Sequence, residues 1–315
     1  MNDRTKGWLN GIAGMLVFSG STPATRAAVM SLDPFFVTSA RATLAACLGV
    51  AMLLVLRAPL PSRRDVGRLL VTAAGIVLGF PLLSGLALQH ISAGRSVVFL
   101  GLLPLATALF GVLRGGERPP MPFWLFAVLG AGVIGMFALS RGGESSPQGD
   151  LLMLAAIAVC GLGYAEGGVL ARHLGGVQVI CWTLVLSAPL MLPAALWLFP
   201  RDLAPVTPTS WFGFAYVTLF SMFIGFVFWY RGLALGGIAA ISQLQLLMPL
   251  FGLAWSAFLL HETVSWSMLW ATAGVILCVA GARRFSSPAR LLRNSQVLQS
   301  SGRRWNDQSA GTRHP

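Results

Sequence analysis

Gly85-Leu86-Ala87-Leu88 recurs unchanged as Gly232-Leu233-Ala234-Leu235, 147 residues later in a chain of 315. Downstream of the first copy stands Leu102-Leu103-Pro104-Leu105, with Glu117 thirteen residues beyond the proline. Downstream of the second stands Leu247-Met248-Pro249-Leu250, with Glu262 again thirteen residues beyond. Arg26 matches Arg172 and Gly130 matches Gly274, at offsets of 146 and 144. A single coincidence carries little weight in a chain rich in Leu, Ala and Gly. Four in chain order, at nearly one spacing, mark an internal duplication.

The sequence around these stretches is apolar throughout. Hydrophobic residues make up 56% and charged residues 10%, where a soluble domain carries about 25% charge. Mean hydropathy is +0.74, so the medium around most of the chain is itself apolar and the protein is integral to a membrane. Ten runs of about 20 apolar residues each suffice to cross a hydrocarbon layer of about 30 Å. They fall at 8–28, 34–56, 67–89, 94–114, 120–140, 151–171, 177–199, 209–233, 238–260 and 264–283. Because they are solidly apolar rather than alternating, helices are expected and a β-barrel is not. The sequence thus predicts an all-α membrane fold: a first repeat over 7–141, an external linker over 142–149 and a second repeat over 150–283. A short cytoplasmic N-terminus (1–6) and a basic cytoplasmic tail (284–315) flank them.

The net charge of +12 would suggest a nucleic-acid partner in a soluble protein. Here the basic residues stand at the ends of apolar runs, so they report topology and no nucleic acid is expected. With both termini inside, 17 Lys and Arg lie on the cytoplasmic side and 4 outside, with Arg41 inside the second run. That bias sets the orientation, in the cell (inner) membrane. Cys47, Cys160, Cys181 and Cys278 lie in apolar runs without metal-ligand spacing, so no disulfide, metal or cofactor is expected.

Five runs per half is an odd number, so the second half enters the bilayer from the opposite side. Inverted repeats of this kind characterise secondary transporters, which bind substrate near the midplane between the halves. The duplicated Gly-Leu-Ala-Leu, Arg41 early in the second run, and the Pro followed by a terminal Glu in both halves resemble the EamA-type transporters of the drug/metabolite transporter superfamily. The resemblance covers about residues 7–283. It implies ten helices, export or exchange of small metabolites such as amino acids, and a central cavity between the halves.

Ionisable groups inside hydrocarbon are costly and face the bundle interior or water. Glu166 is the acidic residue deepest in a run. Either it takes up and releases a proton in a coupled cycle, or it forms a static pair with a neighbouring helix. Arg41 and Glu166 differ by about 10 Å or more in depth, from a rise of about 1.5 Å per residue, so they are not expected to pair directly. Arg41 either faces the cavity and attracts a carboxylate or caps carbonyls freed near Pro23. Arg231 is nearer to Glu166 in depth, though snorkelling to the headgroups is its favoured reading. Tyr164, Tyr230, Ser242, Gln243 and Gln245 complete the candidate substrate contacts. Gln243 and Gln245 point about 200° apart on a helix, so one of them at most faces a cavity. For Trp229 and Tyr230, anchoring at the membrane interface is favoured over stacking on substrate. Pro23, Pro104 and Pro249 are candidate kinks.

No Walker A loop, His-Glu-x-x-His or Gly-x-Ser-x-Gly motif is present. The leading expectation is a secondary transporter, an exporter of a small organic metabolite such as an amino acid, proton-coupled if Glu166 exchanges a proton, with the lipid bilayer and a small-molecule substrate as partners. Oligomeric state is not legible. An intramembrane enzyme or lipid-handling subunit using Glu166 and His173, or a transport-inactive scaffold, are the alternatives.

Overall fold

The computed structural model describes residues 3–115, 121–140, 146–246 and 264–285, with 248, 251, 254, 255, 257 and 258 between the last two stretches. Among them every regular element is helical. The first half contributes α1 (Asp3–Ser19), α2 (Ser21–Val29), α3 (Pro34–Leu56), α4 (Arg63–Ala73), α5 (Phe80–His90), α6 (Ala93–Leu100), α7 (Leu103–Gly115) and α8 (Met121–Ser140). The second contributes α9 (Pro147–Leu174), α10 (Gly176–Trp197), α11 (Pro208–Tyr216), α12 (Gly225–Gly236), α13 (Ile238–Ser242) and α14 (Trp266–Phe285).

Local chemistry sets the helix ends. The Asp33 carboxylate accepts from the amides of Phe35 and Phe36 at 2.8 and 3.0 Å, with Pro34 in the first turn where its missing N–H costs nothing. Ser62, Ser92, Ser146 and Thr207 cap α4, α6, α9 and α11 in the same manner. Gly175 and Gly237, at φ 82° and 87°, turn the chain out of α9 and α12 in a backbone region that side chains disfavour.

Among the described residues six helical stretches are long and apolar enough to cross a bilayer: Pro34–Leu56, Arg63–His90, Ala93–Arg114, Pro147–Leu174, Gly176–Trp197 and Pro208–Gly236. Their outer faces carry large apolar side chains that water would not tolerate in such number. Val55, Trp197 and Phe212 are 79%, 89% and 71% exposed. Lipid is the medium these faces fit, which makes this a multi-pass membrane protein. The expected first run is split at Gly20 between α1 and α2, and the fourth at Gly101–Leu102 between α6 and α7. Pro23 follows the first break by three residues and Pro104 the second by two. Pro249 lies outside the described residues.

Two features escape any reading of hydrophobic runs. Between α4 and α5, Ala74–Gly79 is wound as a π-helix, and between α11 and α12, Val217–Ile224 is wound likewise. The amide of Phe80 donates to the Gly75 carbonyl and that of Gly225 to the Phe220 carbonyl, each reaching back five residues. Pro81 gives a cause for the first: it has no N–H to continue the ordinary ladder.

Helices of the first half pack on helices of the second. α1 runs along α12, α3 along α10, α5 along α9, α7 against α13 and α8 along α14. Glycines make two of these approaches close. A Cβ on Gly232 would sit 2.8 Å from the Gly11 amide nitrogen, so α12 lies backbone against backbone on α1. A Cβ on Gly75 would sit 3.0 Å from the Gly163 Cα, which presses the first π segment onto α9.

Candidate functional site

A narrow cavity of about 30 Å³ lies between the halves. The break between α1 and α2 supplies Phe18, Ser21, Thr22 and Thr25. The two π segments supply Ile76, Ser221 and Met222, and α9 supplies Met153 and Tyr164. Their widened turns thus lie where the helices border the cavity, a common place for such irregularity. The Ser21 hydroxyl donates to the Ser221 hydroxyl at 2.8 Å, tying the two halves across the cavity wall.

Arg41 supplies the cavity's charge. It projects from α3 into this space, is only 5% exposed, and its Nε has no hydrogen-bond partner among the described residues. An arginine is charged at any physiological pH, and no Asp or Glu is among the described residues that line the cavity. The other deeply buried arginine, Arg95 at 3% exposure, is answered by Asp150 through two bonds of 2.9 and 2.7 Å. Arg41 has no such answer among the described residues.

Of the residues singled out from sequence, Arg41 and Tyr164 border the cavity. Tyr230 is completely buried and donates to the Gly163 carbonyl at 3.2 Å. Trp229 is equally buried and packs with Phe18 and Tyr164, at ring centroid separations of 6.1 and 5.6 Å. Both therefore depart from the expected role of interfacial anchors. Trp229 packs between Phe18 of the first half and Tyr164 of the second, whereas Tyr230 packs within the second half beside Phe226, and position in the sequence reveals neither. Ser242 and Gln245 are buried, and both amide atoms of Gln245 lack a hydrogen-bond partner among the described residues. Gln243 begins a short 3-10 turn, Gln243–Leu246.

Glu166 lies outside the cavity lining, at the end of the bundle where α4 begins and α7 and α9 end. Its carboxylate is completely buried, bonded by Arg114 through Oε1 and approached by Arg68 at 3.4 Å through Oε2. Arg231, a candidate by depth, is exposed and makes no ion pair with Glu166 among the described residues. Two turns further along, His173 meets Asp65 at 3.0 Å, again joining α9 to α4. His173 thus faces Asp65 rather than Glu166, so the two residues of the enzyme alternative are engaged separately. At the other end of the bundle Arg26 donates to the Leu88 carbonyl, joining α2 to α5. Arg68, Arg95, Arg114 and Asp150 were not singled out in the sequence. Their only one-dimensional signal is a charge near the end of an apolar run, and that does not say which charges meet.

Known proteins share both this fold and this sequence. The model of the EamA-like transporter family matches twice, at residues 5–140 and 147–284. An uncharacterized transporter of Bacillus subtilis, YdeK, is 56% identical over 286 residues, covering 91% of this chain and 100% of its own length. An uncharacterized transporter of Synechocystis sp. is 23% identical over 85% of this chain and 87% of its own. A solved crystal structure superposes with a TM-score of 0.67 at 19% identity, covering 89% of this chain and 98% of that one, which shows a shared fold. The family model accounts for both halves of the chain in turn, and more than half the residues recur in a relative matched from end to end: the chain belongs to the EamA-like transporter family.

Proposed function

We propose that this chain is a secondary transporter that exports a small organic metabolite across the cell membrane. In this reading ten transmembrane helices form two inverted five-helix repeats, and their rocking exposes one cavity alternately to either side. The observation that carries the proposal is the cavity itself, walled by both halves and holding the buried charge of Arg41.

Three further features support the repeat. The family model matches each half separately. The π segments at 74–79 and 217–224, and Ser62 and Thr207, which cap the helices leading into them, recur at nearly the offset of the Gly-Leu-Ala-Leu strings. The helix pairing also joins one half to the other throughout.

The Lys and Arg count favours cytoplasmic termini, which makes the Glu166 end the inner end. There the carboxylate draws together α9, α4 and α7 through Arg68 and Arg114. We read this as an inner closure. A proton delivered to Glu166 would cancel the charge both arginines answer, releasing the helices and coupling opening to the proton gradient. Purified protein sealed in liposomes tests the function: concentrative, gradient-dependent solute flux supports it. Chemical conversion of solute would favour the enzyme alternative, and neither outcome would favour a scaffold.

A further inference from the structure

We infer that the substrate is an organic monoanion, a carboxylate without an ammonium group, whose carboxylate is taken by Arg41 while its apolar body lies among Phe18, Phe226 and Met222. The inference rests on the transport reading of the cavity and narrows it to a substrate class.

The argument begins from charge. Among the described residues, Arg41 is 5% exposed with an unpartnered Nε, and none of those lining the cavity it enters is acidic. A buried charge without a counter-charge is strongly unfavourable, so a ligand bearing one negative charge gains most by entering. Guanidinium and carboxylate also match in shape, with two parallel N–H donors facing two oxygens. A zwitterion would satisfy Arg41 but carry its ammonium into a cavity that is already positive. A cation would add charge to charge.

The remaining lining fits the rest of such a molecule. Thr25, and Ser221, which accepts from Ser21, offer hydroxyl protons that can be donated to a second carboxylate lone pair or to a keto or hydroxyl substituent. Phe18 and Phe226, whose rings meet edge to face at 4.9 Å, form a hydrophobic surface against which an aliphatic or aryl chain can lie.

The test uses the full chain, purified in detergent, with four probes of one shape and different charge: 3-phenylpropanoate, 3-phenylpropanamide, phenylalanine and phenethylamine. Binding is read by calorimetry and by the shift in thermal unfolding midpoint. The anion is expected to bind at least tenfold more tightly than each of the other three. Arg41→Gln is expected to remove that preference and Arg41→Lys to keep part of it. If either variant does not fold, the ranking on the unaltered chain decides alone. Equal or tighter binding of phenylalanine or phenethylamine overturns the inference, as does a complete absence of binding by the anion, or anion binding unaltered in a folded Arg41→Gln. Counterflow in liposomes separates this from the broader reading. Movement of zwitterions or cations without anion binding sinks the substrate class and leaves transport standing. Anion binding without flux of any solute does the reverse.

Discussion

The Arg95 guanidinium holds the Asp150 carboxylate by two parallel bonds, Nε to Oδ1 at 2.9 Å and Nη2 to Oδ2 at 2.7 Å. Asp150 stands in the first turn of α9 and Glu166 sixteen residues later, about 24 Å along the helix at about 1.5 Å per residue. α9 is thus held by arginines at both ends, with the cavity residues Met153 and Tyr164 between them.

The Arg95 to Asp150 pair is almost wholly buried, at 3% and 15% side-chain exposure. Removing one partner leaves the other charge buried and unanswered, which costs about 3–5 kcal/mol. Asp150→Leu and Arg95→Leu are each expected to lower the thermal unfolding midpoint markedly. The double variant should be more stable than the sum of the single losses predicts. Strict additivity in a double-mutant cycle would mean the pair contributes nothing as a pair.

Glu166 has a different expected signature, because its partners Arg68 and Arg114 are themselves partly exposed. Glu166→Gln keeps the shape and removes the carboxylate. The variant should reach the membrane folded but lose solute accumulation driven by an imposed pH gradient, measured as uptake into liposomes after a pH jump. A pH dependence equal to that of the unaltered chain would reject proton coupling at this residue.

Topology is open to direct chemical test. In a chain whose native cysteines are replaced, Gln148→Cys, in the first turn of α9, should react with a membrane-impermeant thiol reagent in intact cells. Leu60→Cys, 83% exposed between α3 and α4, should react only after permeabilisation. The opposite labelling pattern would invert the proposed orientation.

The duplicated Gly-Leu-Ala-Leu and Leu-x-Pro-Leu strings carried the family in the sequence because they record local, helix-sized constraints at a fixed spacing. Arg41 was legible for a similar reason: a charge inside an apolar run is costly and so stands out. The partners of Glu166 were not. Arg68 and Arg114 come from different helices, and depth along the membrane normal, which offered Arg231 only as a candidate beside its favoured snorkelling reading, says nothing about rotation around the bundle. The burial of Trp229 and Tyr230 was hidden likewise, since it depends on which helix covers that face. The π segments left almost no mark. One residue of extra winding leaves the apolar pattern intact, and only Pro81 hinted at the first.

The hydroxyls of Ser21 and Ser221, 2.8 Å apart across the cavity wall, offer the most direct test of a chamber that opens between two moving halves. Ser21→Cys and Ser221→Cys, combined in the chain without native cysteines and joined by a short thiol cross-linker, would hold those walls together. The measurement is solute flux through sealed liposomes before cross-linking, after it, and after release with a reductant. The account predicts flux that stops when the walls are joined and returns when they are freed. Flux that continues unchanged through the cross-linked protein would contradict it.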